Sequence, residues 1–249
     1  MKRLFLSAVF AALTVVNPAF ATDIINMSDT ERDVFRAEVR AYLMENPEVL
    51  LEAISVLEDR QATEEASSDT ALLLENADAI YNDGVSYVGG NPDGDITIVE
   101  FSDYRCPYCK RAHPEVIELV ASDGNIRLIY KEFPILGPDS LTTANFALAT
   151  LMVSGPEAYE RISTALMELR GTPSNKALID MANEHDLDTD AVMAKMESSE
   201  VTQAIQANRA LGQRLKISGT PTFIMGNQLV RGYLPLKNMR AIVEDIRNE

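Results

Sequence analysis

An α/β fold, with a long helical block set into a small sheet and a helical arm ahead of it, is predicted by three patterns in this 249-residue chain. First, a strand-like run (Ile96–Ser102) leads into an amphipathic helix to about Ala121, and a second strand-like run (Asn125–Phe133) comes after it; that order predicts parallel pairing. Second, from about Asp139 to Leu215 only helical periodicity is present, broken at Gly155-Pro156, Gly171-Thr172-Pro173 and Asp186 to Asp188. Third, strand character returns in Thr222–Met225 and Gln228–Arg231 around Gly226-Asn227, and Pro235–Arg247 reads as a closing helix. A small sheet is thus interrupted by helices and then resumed.

The chain begins with Lys2 and Arg3, an apolar stretch from Leu4 to Val16, and the small-x-small sequence Ala19-Phe20-Ala21. That is the pattern of a cleaved export signal over Met1–Ala21, too short in its apolar part to span a bilayer. The mature chain is expected to start near Thr22, to be soluble, and to work in an oxidising compartment read as the bacterial periplasm. Loss of Lys2 and Arg3 takes the net charge from −16 to −18. Thr22–Gly90 alone holds 16 Asp and Glu against four Arg, which argues against nucleic acid and anionic membranes as partners.

Thr22–Gly84 reads as the helical arm and Val85–Glu249 as the main domain, with the helical insertion over about residues 138–215. Within the arm, residues 28–60 carry two apolar stripes, Phe35/Val39/Tyr42 and Leu50/Ile54/Leu57. Asn46-Pro47-Glu48 looks like a fresh helix start with Asn46 as N-cap. The polar stretch Gln61–Asp69 is either a linker or an exposed helical turn, and Asp69 is expected to cap a further short helix. Such an arm is too small to bury its stripes within itself. In the main domain, an edge strand at Val85–Val88 is followed by turn signals from Gly89 to Gly94.

Cys106-Pro107-Tyr108-Cys109 holds both cysteines of the chain, so the pair belongs to no larger disulfide framework. A dithiol opening a helix places the first thiol at the positive end of the helix dipole, which favours its thiolate, and the second one turn later. Cys106 is therefore the expected nucleophile, exposed, with Pro107 at the first helical position and Arg105, Lys110 and Arg111 lending positive charge. Structural zinc needs four protein ligands, and the chain has two cysteines and two histidines in all. His113, four residues after Cys109, is a conceivable third ligand but reads better as a helix-face residue near the site. Strand alternation puts Glu100 in phase with Ile96 and Ile98, and a buried carboxyl there would exchange a proton with Cys109. Pro114 falls inside the helix. The five methionines of the helical block (Met152, Met167, Met181, Met193, Met196) read as core, with some available for an adaptable apolar surface.

With Glu100 before the dithiol, CPYC, Pro114 after it, the helical insertion and Gly219-Thr220-Pro221-Thr222-Phe223 near the end, residues 85–249 resemble the DsbA-like branch of the thioredoxin superfamily. The arm, above all Asn46–Ile54, is similar to the N-terminal region of the suppressor-of-copper-sensitivity C (ScsC) group. The resemblance implies a thioredoxin fold, attack by Cys106, resolution by Cys109, a cis bond before Pro221, and pairing of the Thr220 backbone with an extended client. Tyr108 and Thr220 replace the histidine and valine of the best-known DsbA, which puts very strong oxidising power in doubt. The chain is therefore expected to be an exported thiol-disulfide oxidoreductase, acting as isomerase or reductase on unfolded or misoxidised periplasmic proteins. It is expected to need no cofactor, to draw on a membrane redox partner, and to form a homo-oligomer, a trimer by the resemblance, through the arm. A monomeric dithiol oxidase and a copper-sequestering protein are the competing readings.

Overall fold

The computed structural model describes residues 26–248, so the expected export signal over Met1–Ala21 lies outside the described residues. The chain divides into two units, one ending at Arg60 and the other beginning at Gln61.

In the first unit, α1 (Asp29–Glu45) opens on a capping box in which Ser28 and Glu31 satisfy each other's backbone N–H groups. Asn46 does not cap the next helix as expected. It ends α1, its backbone N–H and its side-chain Nδ2 both donating to the Tyr42 carbonyl at 2.8 and 2.9 Å. Pro47, which cannot donate to the α1 ladder, then separates α1 from α2 (Glu48–Glu75). The polar stretch from Gln61 to Asp69 is continuous α2, since its Ala, Glu and Gln are good helix formers. The six stripe residues are between 41 and 55 % exposed, from Val39 to Leu57.

In the second unit, a five-stranded sheet runs in the order β1-β3-β2-β4-β5, comprising β1 (Tyr87–Gly90), β2 (Ile96–Ser102), β3 (Ile126–Glu132), β4 (Thr222–Met225) and β5 (Gln228–Arg231). β2 and β3 are parallel as expected, and the other three pairings are antiparallel. The edge strand starts two residues later than its sequence suggested. Asp83 accepts hydrogen bonds from the N–H groups of Val85 and Ser86, which turns that segment before pairing begins.

Each sheet face has its own apolar layer. Ile96, Ile98, Ile126 and Leu128 pack with α4 (Pro107–Asp123) and α10 (Leu236–Asn248). Val99, Phe101 and Ile129 pack with Leu73 of α2, Ile80 of α3 (Ala77–Tyr81) and Leu211 of α9 (Ser199–Arg214). Asp69 lies buried in the middle of α2 rather than at a cap, and both its oxygens accept from Arg231 at 2.7 and 2.8 Å. Between β3 and β4 stand α5 (Pro138–Ser154), α6 (Pro156–Glu168), α7 (Asn175–Glu184), α8 (Thr189–Lys195) and α9. Their core contains Met167 and Met181, with Met152, Met193 and Met196 packed against it. The methionines fill the insertion, as the flexible thioether suits irregular gaps.

Candidate active site

The end of β2 and the start of α4 present the two cysteines. Asp103 locks the short link between them: its Oδ1 accepts from the Arg105 N–H and its Oδ2 from those of Ile135 and Leu136, while its carbonyl accepts from the Cys106 N–H. Cys106 then takes the N-cap position with extended backbone (φ −76, ψ 121), and Pro107 enters the first turn with no amide hydrogen to satisfy. Gly124, in the left-handed region at φ 75, ends the helix by donating to the Val120 carbonyl.

Cys106 is 5 % exposed rather than open to solvent, because the loop before β4 faces it. Its thiol donates to the Thr220 carbonyl at 3.2 Å, and the Thr220–Pro221 peptide is cis. That loop is itself held: Thr222 Oγ1 donates to the Gly219 carbonyl, and the Gly232 N–H donates to Pro221 O. Cys109 is fully buried, whereas Tyr108 between them is 60 % exposed. The dithiol therefore has one sulfur at the edge of the surface and one beneath it.

The electrostatics divide the pair in the same way. The Cys109 thiol beside it, then the nearby Thr220 side chain and the first-turn N–H groups, outweigh burial and lower the Cys106 thiol to about 5. Burial, reinforced by Cys106 and Glu100, pushes the Cys109 thiol far up. The cations expected to assist are engaged elsewhere. Lys110 Nζ donates to the Met167 and Leu169 carbonyls at 2.8 Å each, closing the end of α6. Arg111 lies over the Tyr233 ring at 4.3 Å, and Arg105 faces Asp139 at 3.9 Å. Sequence proximity did not predict where these long side chains reach.

Glu100 is fully buried on β2, and neither carboxyl oxygen completes a hydrogen bond. Burial pushes it up to about 8; the nearby Ser102 hydroxyl offsets this only in part. His113 is also buried, its Nε2 3.0 Å from Thr164 Oγ1, and burial holds it down at about 4, so the ring is neutral. Pro114 stands inside α4 as expected. Among the described residues no cluster of three or more His, Cys, Asp or Glu is placed to hold a metal.

Sequence reasoning missed the polar residues around Glu100. Tyr130 lies opposite it on β3 and donates to Ser102 Oγ at 2.8 Å. Glu132 lies opposite Ser102, and its Oε1 accepts from the Tyr104 and Tyr159 hydroxyls at 2.7 and 2.6 Å. The signal was available in NIRLIYKEF, where alternation puts Tyr130 and Glu132 on one face.

A family model for thioredoxin matches residues 82–245, and one described as the copper resistance protein ScsC N-terminal domain matches residues 31–64. A thioredoxin-like oxidoreductase from Silicibacter pomeroyi DSS-3 is 41 % identical, covers 70 % of this chain and 99 % of its own, and superposes with a TM-score of 0.65. A Proteus mirabilis ScsC variant with a linker deletion is 26 % identical, covers 89 % of this chain and 97 % of its own, and has a TM-score of 0.67. A Na(+)/H(+) antiporter, NhaA 1 of Salinispora arenicola, is 27 % identical over 158 residues, 63 % of this chain. This chain spans only 24 % of that antiporter's length. With a matching thioredoxin model over most of its length and the CxxC geometry above, the chain belongs to the thioredoxin family, among its thiol-disulfide oxidoreductases of the DsbA and ScsC type.

Proposed function

We propose that the protein is an exported, periplasmic disulfide isomerase or reductase for misoxidised proteins. The observation that carries the chemistry is the division of the CPYC pair, a lowered thiol at the surface edge and a raised one buried behind it. Cys106 thiolate attacks a client disulfide, forming a Cys106–client disulfide and freeing the other client sulfur. Either that client thiolate rearranges the bond, or Cys109 attacks Cys106, closes the internal disulfide and releases the client reduced. Pro107 and Tyr108 shape the first turn, and Thr220 and Pro221 face the nucleophile where an extended client would lie. Glu100 takes the proton of Cys109. A membrane partner would return the pair to the dithiol state.

The isomerase reading is favoured by the arm, whose stripes stand exposed on α1 and α2. Self-association through residues 22–84, as a trimer, would bury them and hold several client-binding sites together. The catalytic domain would be residues 85–249, with the insertion over about 138–215. The lowered Cys106 thiol favours a second reading, a dithiol oxidase, because a stabilised thiolate makes the disulfide a better oxidant. Rescue of scrambled ribonuclease against oxidation of the reduced enzyme separates the two. Rescue that fails while oxidation is fast would establish the oxidase. Light scattering on the mature protein tests the assembly, and a monomer at high concentration would count against the isomerase.

A further inference from the structure

At the C-terminal ends of the two central parallel strands, four polar side chains occupy the corners of a square. Glu100 and Ser102 stand on β2, with Tyr130 and Glu132 directly opposite on β3. Alternation along each strand puts all four on the same face. All four are at most 4 % exposed. One diagonal is bridged by the Tyr130–Ser102 hydrogen bond, and the other joins the two carboxyls.

We propose that Glu132 is a second proton-holding residue of the dithiol reaction, working with Glu100 as one acid pair. Three observations carry this. Between them the two carboxyls leave three oxygens without a hydrogen-bond partner, Glu100 Oε1 and Oε2 and Glu132 Oε2. Buried polar atoms are seldom left unpaired without a functional reason. Next, no cation serves the square among the described residues. Lys131 goes to Asp83 and the Ala79 carbonyl, and His113 on α4 is neutral. Finally, burial pushes both carboxyls up to about 8, and the charge of Glu100 adds to the push on Glu132.

The groups facing Glu132 oppose one another. From α6 and the segment before Cys106, the Tyr159 and Tyr104 hydroxyls favour its ionised form; from that segment and β2, the Asp103 and Glu100 charges disfavour it. From α9, Asn208 donates to its backbone carbonyl. On the Glu100 side stand Cys109 and Cys106 of the dithiol, with Ser102 and Tyr130.

Two buried carboxyls placed in this way do not ionise together, so the square gives up its two protons in separate steps, the first of which frees a base while the second proton stays behind. Resolution runs from that one-proton state, in which the pair holds a single proton and Glu100 can accept another. Cys109–SH then gives its proton to Glu100, and its sulfur bonds to Cys106. The Cys106–client bond breaks, and the client leaves as a thiolate with the electron pair. The square now holds two protons and returns one to solvent.

This deepens the role of Cys109 proposed above and is independent of whether the protein isomerises or oxidises clients. The test loads Cys106 with a chromogenic aromatic thiol and follows its release by Cys109 from about pH 5 to about pH 10. The wild-type rate should rise over a span clearly wider than the roughly two pH units of a single titration. Glu132→Gln should collapse that rise to a one-proton curve. In infrared difference spectra between dithiol and disulfide forms, one carboxyl band should vanish in Glu132→Gln and another in Glu100→Gln. Should Glu132→Gln not fold, Tyr159→Phe keeps the ring, removes one donor to Glu132, and should move the upper part of the rise to higher pH. A one-proton wild-type curve that the variant merely reproduces, with carboxyl bands indifferent to residue 132, overturns the proposal. Release that persists in Cys109→Ala overturns it by another route, through the resolving role on which it rests.

Discussion

The two units bury opposite things. In the arm, Phe35 on α1 and Ile54 and Leu57 on α2 stand 48, 52 and 55 % exposed. In the catalytic unit, Glu100 and Lys131 are fully enclosed. Apolar exposure on a marginal helix calls for a partner, whereas a buried acid beside a thiol calls for a proton. On the proposed function, stability would be deferred to assembly in one unit and spent on chemistry in the other. Both departures from apolar-in, polar-out lie where the proposed function needs them.

The largest effect expected is at the dithiol. Cys106→Ala should abolish exchange with disulfides, while Cys109→Ala should retain attack and accumulate mixed disulfides, seen by mass spectrometry of trapped clients. In the parent, alkylation of Cys106 should rise with pH through about 5 and level off above it. A midpoint at or above the free-thiol value of about 8.5 would remove the distinction between the two sulfurs.

Glu100→Gln should stabilise the disulfide form while slowing release by Cys109 roughly a hundredfold. The folded carboxyl is raised to about 8 from 4.5, so the folded state holds a proton that the unfolded chain gives up. The parent therefore loses stability as pH rises from 4.5 through about 8, and the glutamine does not. At about pH 7 the variant should be more stable by about 3 kcal/mol, and near pH 4 the two should coincide, by denaturant titration. Equal stability at both pH values would mean that Glu100 is charged or solvated in the folded protein.

In the arm, Ile54→Glu should weaken self-association by about 1.5–3 kcal/mol per copy and leave Cys106 alkylation unchanged. Sedimentation across a dilution series reads this, and an unaltered profile would mean that the stripe is not the contact. The smallest effect is at Lys110→Met, which removes the two carbonyl contacts at the end of α6. About 1–2 kcal/mol of stability should go with them, with the Cys106 titration unmoved. A shift of that titration would return Lys110 to the role its place in the sequence suggested.

Much of this was legible in one dimension because it depends on local periodicity and turn chemistry. CPYC marked the dithiol at a helix start, since Pro107 suits the first turn and Cys106 the cap. Ile96–Ser102 and Ile126–Glu132 could be read from apolar runs bounded by turn residues, and their parallel pairing from the helix between them. The phase of Glu100 came from the two-residue repeat of a strand. Asn46 ends α1 instead, because its amide donates to the Tyr42 carbonyl left over at that helix's end.

The order of elements, the dithiol and the acid beneath it were determined by the sequence alone. Tertiary structure decided which long side chains reach the site. Lys110, Arg105 and Arg111 are neighbours of Cys106 in sequence, yet each finds a carbonyl, carboxylate or ring brought there by another element. It also decided that Tyr104 and Tyr159, 55 residues apart, meet on Glu132, and that Thr220 lies over Cys106. Such encounters depend on where distant segments are packed, and no short-range pattern records them, because loop closure brings together residues whose own neighbours carry no trace of the partner.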